Sequence, residues 1–282
     1  ALLLFERTSG FGPYSCQAGT YRKYATLLLS LARYGESEPF YRLALSIDET
    51  SNGSDHPSVA NALLALAKLL RSTNRLAEAE PLLRRALEIA EARYGSDHPS
   101  VATGLNDLAI LLEDTGRRPE AEPYYRRALA IYEASKGPEH PWVATGLNNL
   151  ATLLRDTDRI AEAEPHLRRA LAIDEARYGG DHPEVAIDIN NLAELLGDTD
   201  RLAEAEPLYR RALAIHEASL GPDHPEVATG LNNLAGLLAR TDRLAEAEQL
   251  YRRAALTLLR SSKANGHLLP NTAGRFGIMR RR

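Results

Sequence analysis

A chain of 282 residues with 34 Lys and Arg against 38 Asp and Glu carries a formal charge of -4, too small to mark a nucleic-acid binder or a polyacidic tail. With 44% hydrophobic and 26% charged residues it has the balance of a water-soluble chain, and its wealth of Ala, Leu, Glu and Arg leans to helix. The single cysteine, Cys16, excludes an internal disulfide framework and any multi-cysteine zinc site.

No stretch of the sequence approaches the roughly 18 consecutive apolar residues that span a bilayer, so a cytoplasmic location with no membrane contact is expected. Residues 1–10 line up with residues 44–53. Residues 1–17 therefore read as the remnant of an earlier helix and its linker. The chain has no starting Met, and it reads as a stretch of a longer array.

One period governs residues 18–262. Gly53, Gly95, Gly137, Gly179 and Gly221 fall 42 residues apart, and so do the pairs His56-Pro57, His98-Pro99, His140-Pro141, His182-Pro183 and His224-Pro225. Ala79, Ala121, Ala163, Ala205 and Ala247 keep the same step. An uninterrupted spacing of this kind is the signature of a repeat architecture, and it divides the segment into six hairpins of two helices each.

The unit opening at Gly137 shows the pattern. Pro141 suits a first helical turn, where a missing N–H costs nothing, and either Glu139 or His140 can cap it. Ala144, Leu147, Ala151 and Leu154 then mark one buried helical face. Asp156-Thr157-Asp158 supplies turn and capping side chains for the second helix. That helix buries Ala163, Leu167, Ala170, Leu171 and Ile173, and ends near Gly179, where a missing Cβ permits the left-handed conformation. Pro39, Pro81, Pro123, Pro165 and Pro207 fall inside second helices, which predicts a kink or a later start. Glu80/Arg84, Glu122/Arg126, Glu164/Arg168, Glu206/Arg210 and Glu248/Arg252 are i,i+4 pairs worth about 0.2–0.5 kcal/mol each, and read as solvated helix dressing.

An isolated hairpin cannot bury its apolar faces, whereas stacked hairpins share a continuous core. The expected fold is all-α. The pattern Leu150-Ala151-x-x-Leu154, followed by Ala163, Leu167 and Ala170, resembles the tetratricopeptide repeat, whose unit is about 34 residues. The 42-residue form, with Gly-Pro-Asp-His-Pro-Glu-Val-Ala at 221–228 and Leu-Asn-Asn-Leu-Ala at 231–235, looks like the kinesin light chain type. This resemblance implies a right-handed superhelical solenoid whose first helices line a concave groove. It also implies a scaffold that binds a partner peptide there. Similar repeats occur in bacterial multidomain proteins, so the alternative is a sensor region of a larger signalling protein with an NTPase or peptidase effector.

Three residue sets are candidates for function. The recurring histidines sit one hairpin apart, too far to share a metal ion, and read as caps and linkers. Asn106, Asn148, Asn190 and Asn232 recur with Asp107, Asn149, Asn191 and Asn233 beside them. By the resemblance these positions face the groove. Asparagine is a poor helix former, and its amide both donates and accepts, which suits either an extended peptide or bonds between repeats. Arg22, Lys23, Lys68 and Arg71 give the groove a basic end, and Asp107, Asp114, Asp156, Glu194 and Asp198 an acidic continuation; complementary charge on a peptide would match them.

The sequence holds no P-loop, Gly-x-Ser-x-Gly or His-Glu-x-x-His motif, so no catalytic residue, cofactor or metal is assigned. Residues 263–282 read as an irregular basic tail, with Arg275 and residues 280–282 as its cations. Without interleaved aromatics it does not predict nucleic-acid binding. Terminal repeats without a polar capping helix leave end-to-end self-association as a second kind of partnership.

Overall fold

The computed structural model describes residues 14–264, with side chains from 17 to 261. The expected remnant up to residue 13, the expected tail from residue 265 and the Cys16 side chain lie outside the described residues. Among the described residues there are twelve helices and no strand. They are α1 (Tyr14–Ser30), α2 (Tyr34–Asn52), α3 (Pro57–Ser72), α4 (Leu76–Tyr94), α5 (Pro99–Asp114), α6 (Arg118–Lys136), α7 (Pro141–Asp156), α8 (Ile160–Tyr178), α9 (Pro183–Asp198), α10 (Leu202–Leu220), α11 (Pro225–Arg240) and α12 (Leu244–Ala264).

The chain forms two compact units, residues 1–149 and 150–282, with the division falling inside α7. In the first, α1 packs on α2, α3 on α4 and α5 on α6, while α2 also meets α3 and α4 meets α5. In the second, the pairs α9/α10 and α11/α12 repeat the arrangement, with α8 against α9 and α10 against α11. The fold is therefore an all-α array of packed helix pairs.

The repeated histidine is the N-cap of the first helices. His98 Nδ1 accepts the Ser100 N–H at 3.1 Å, with Pro99 at the first helical position; His56, His182 and His224 do the same for the Ser58, Glu184 and Glu226 amides. At the unit where the sequence left two choices, His140 takes the role and accepts from the Trp142 amide. The side chain thus satisfies one of the amides a helix start leaves without a partner.

The expected acidic cap on the second helices is absent. Asp158 instead takes the left-handed conformation, with φ 62°, and the following Arg159 N–H returns to the Leu154 carbonyl at 2.8 Å. Asn74 and Asp200 occupy the same backbone region at their hairpin turns. A short polar side chain tolerates this conformation, so these residues turn the chain and leave the capping of the second helix to Arg159, Arg75 and Arg201, which make no side-chain cap bond.

The second helices run unbroken through Pro39, Pro81, Pro123, Pro165 and Pro207. Each helix starts later than the turn motif suggested: Ile160 comes two residues after Asp158. Pro165 is then only the sixth helical residue, and both it and Ala161, whose carbonyl it leaves without a helical partner, are exposed. Water can take that carbonyl.

Alanine and leucine fill the interior. Val101, Ala102, Leu105, Leu108, Ala109, Leu111 and Leu112 of α5 are all fully buried. Burying a Leu side chain contributes about 1.5–3 kcal/mol, so this one helix face is a large part of the stability of its unit. Close approach needs small residues too. A Cβ on Gly230 would lie 3.3 Å from Leu213 Cδ1, and one on Gly146 3.4 Å from Leu129 Cδ1.

The i,i+4 glutamates do more than dress a helix. Glu80 accepts from Arg84 on its own helix and from Arg117 of the next pair at 2.9 Å. Glu38 meets Arg75, Glu164 meets Arg201 and Glu206 meets Arg243 in the same way. A second row joins Arg85 to Glu49, Arg127 to Glu91, Arg211 to Glu175 and Arg253 to Glu217. Two rows of ion pairs thus stitch successive hairpins together.

Candidate functional site

The asparagines stand half-buried on the first helices, and helical spacing puts neighbours of one row on matching turns of successive pairs. In the first unit Asn149 Nδ2 donates to Asn106 Oδ1 at 2.8 Å. In the second, Asn233 Nδ2 donates to Asn190 Oδ1 at 2.9 Å. The bonds run diagonally, from the second asparagine of one pair to the first asparagine of the pair before. Each uses one donor and one acceptor of amides that hold two N–H bonds and two lone pairs apiece. Asn148, Asn191 and Asn232 share the same half-buried setting.

Asp107 takes the place that Asn149, Asn191 and Asn233 hold elsewhere. Burial lifts its carboxyl to about 6, against the pull of Arg71 and Lys68. The basic set is divided in its contacts. Arg22 turns to Asp48 at 3.0 Å and to the Ser58 carbonyl at 3.1 Å, so it braces α1 against the next two helices. Arg71 reaches Asp114 of the following first helix at 2.8 Å. Lys23 and Lys68 are exposed.

In the second unit Arg155 draws three of the expected acids together: Glu194 at 2.6 Å, Asp156 at 3.3 Å and Asp198 at 3.8 Å. In the first unit Arg71 of the basic set thus meets Asp114 of the acidic one, whereas in the second the acids gather on Arg155, which the basic set did not include. Arg71–Asp114 and Arg155–Glu194 are bonds between neighbouring hairpins, made, like the amide bonds, between first helices.

Two further clusters escaped the sequence reading. Trp142 is 44% exposed, its ring 5.7 Å from that of Tyr132 and 5.2 Å from that of His140, with Lys136 Nζ 5.1 Å from its centroid. Buried Tyr125 donates its hydroxyl hydrogen bond to Glu113, and burial holds the phenol in its protonated form. The signal for the first was a departure from the period: position 142 is the only Trp, where the other units carry Ser58, Ser100, Glu184 or Glu226. Among the described residues no group of three or more His, Cys, Asp or Glu gathers as a metal site, and no helix is long and apolar enough to cross a membrane.

The tetratricopeptide repeat pattern matches residues 16–92, 74–134, 100–176, 142–197 and 185–255. No curated protein matches the sequence. Solved structures do. BtubC (BKLC) from P. vanneervenii is 23% identical over 93% of this chain and 95% of its own, with a TM-score of 0.63. A Podosopora anserina protein of nearly identical TPR-like repeats, likened to kinesin light chain, is 23% identical over 74% of this chain and 98% of its own, with a TM-score of 0.61. Aspartyl phosphate phosphatase F from Bacillus subtilis is 14% identical over 92% of this chain and 64% of its own, with a TM-score of 0.68. At these identities the likeness is one of fold.

Proposed function

Because the chain belongs to the tetratricopeptide repeat family, whose arrays generally mediate protein–protein interaction and are generally non-catalytic, we propose that it is a scaffold gripping an extended partner segment along its first helices. The observation that carries this reading is the amide row. Asn106 and Asn149 in the first unit, and Asn190 and Asn233 in the second, are ordered by a bond within each pair, yet each stays half-exposed with hydrogen-bonding capacity unused by that bond. Amides ordered beforehand lose little freedom when a peptide backbone docks on them. Lys23 and Lys68, exposed near one end, suit an acidic group on that segment.

Binding selection from a random peptide library on the full chain tests the reading. Asn191→Ala/Asn232→Ala should weaken the selected peptides while the melting curve stays close to wild type. Peptides that bind this variant as tightly as the parent would remove the first-helix face from consideration.

A further inference from the structure

Two acids meet in the interior of the second unit. Asp174 on α8 is 7% exposed and Asp188 on α9 is 1% exposed, on helices packed against each other; Asp174 Oδ1 is buried with no hydrogen-bond partner, and the Asp188 carboxyl lies close enough to act on that of Asp174. An ionised carboxylate only accepts hydrogen bonds. Two carboxyls in such contact therefore need a proton between them, and two like charges at this range in a poorly solvated site do not both persist.

The period shows that the pair is a local invention. The place of Asp188 is held by Gly104, Gly146 and Gly230 in other units, and the place of Asp174 by Ala90, Tyr132 and His216. Where an acid does recur, at Asp48, it meets the guanidinium of Arg22 at 3.0 Å. Asp174 meets a second carboxyl instead. The charged groups acting on Asp174 beside that carboxyl are Glu184, in the first turn of α9, which favours the neutral form, and His182, its N-cap, which favours the ionised one. Arg211, approaching from α10, is engaged by Glu175 at 2.7 Å and by the Gly180 carbonyl at 2.8 Å.

We propose that Asp174 and Asp188 form a proton-held latch between α8 and α9, in which one shared proton keeps the helices packed and its loss drives them apart. The sign follows from the burial, which raises the Asp174 carboxyl above its ordinary value. Folded chain keeps a proton that unfolded chain releases, so the latch is at full strength at low pH and weakens as pH rises through the raised value. Because α9 also carries Asn190 and Asn191, an open latch displaces part of the amide row; that consequence alone rests on the proposed function, and the latch itself does not.

Amide hydrogen exchange of the full chain, read on peptides covering residues 170–195 from pH 5 to 9 and corrected for intrinsic rates, tests it. In wild type the protection of these peptides should fall by up to about tenfold per pH unit while the closed pair keeps a proton that the opened chain releases, and should level off above the raised value. Asp188→Asn supplies a permanent donor, and Asp174→Ala/Asp188→Gly restores the pairing of Ala90 with Gly104; both should abolish that fall. Variants that retain the wild-type slope overturn the latch. A carbon-13 titration of the wild-type carboxyls decides the matter independently of how the variants fold: two aspartates at these positions titrating in the ordinary range would also overturn it.

Discussion

Asn149 donates its amide hydrogen to Asn106 across 2.8 Å, joining the first helices of neighbouring hairpins; Asn233 and Asn190 repeat the bond in the second unit at 2.9 Å. A side chain that disfavours helix has been placed mid-helix in successive units, and the bond gives it a structural use whatever else it touches. Asn190→Ala removes the acceptor and leaves Asn233 half-buried without it. The expected loss is about 1 kcal/mol, with a coupling of about 0.5–1.5 kcal/mol between the two positions in a double-mutant cycle of urea melts. Additive single losses would mean that the bond contributes nothing.

Asp107 breaks the amide row with a carboxyl lifted to about 6 from an ordinary 3.8. Between those values the folded chain holds the proton more tightly than the unfolded chain, so stability is greatest below the lower value and falls as pH rises through the upper one. Asp107→Asn should remove that fall and melt a few degrees higher than wild type at pH 7, with little difference at pH 4. A variant that melts lower at pH 7 would show that the charge is held by Lys68 and Arg71 more firmly than burial opposes it.

Glu80 has the opposite sign. Arg84 and then Arg117 hold its carboxyl below the ordinary value, so the stability it contributes is present above that value and is lost as pH falls. Arg117→Ala should cost little stability, since both partners are partly exposed to solvent. Most of the loss should vanish in 1 M salt. A loss independent of salt would point to packing of the Arg117 stem instead.

The histidine caps give the sharpest local test. His98→Ala should destabilise by about 0.5–2 kcal/mol, and His98→Asn, which offers an acceptor to the Ser100 amide, by clearly less. Hydrogen exchange at the start of α5 would locate the effect. Equal losses for both variants would assign the role of His98 to its stacking on Tyr94, whose ring centroid is 4.4 Å away.

The helix pairs were legible because the 42-residue step and the spacing of Ala144, Leu147, Ala151 and Leu154 constrain the backbone directly. What escaped depended on distance across hairpins. Glu80 and Arg84 are neighbours in sequence, but Arg117 lies 37 residues on from Glu80, a relation that follows only from how one pair seats on the next. The capping was misplaced for a similar reason. Aspartate is the commoner cap, yet Asp158 is taken up by a left-handed turn that a short polar side chain supports. The expected charge polarity was drawn from residue identity alone and could not show that Arg71 and Asp114, or Arg155 and Glu194, meet each other. For the amide row, the residues and their face were readable, while the choice between holding the stack and holding a ligand was not, since an amide serves both with the same atoms.

The joins between hairpins also bear on how such a gene can change length. Most seams are interchangeable: Glu and Arg recur in step, so a cassette of 42 residues gained or lost in register brings equivalent partners together. The Asp174–Asp188 seam is keyed. Losing residues 179–220 would set Asp174 against Gly230, and duplicating them would set His216 against Asp188 as well as against Gly230. Copy number can drift at the other seams with little chemical consequence, whereas at this one each gain or loss rewrites the pairing.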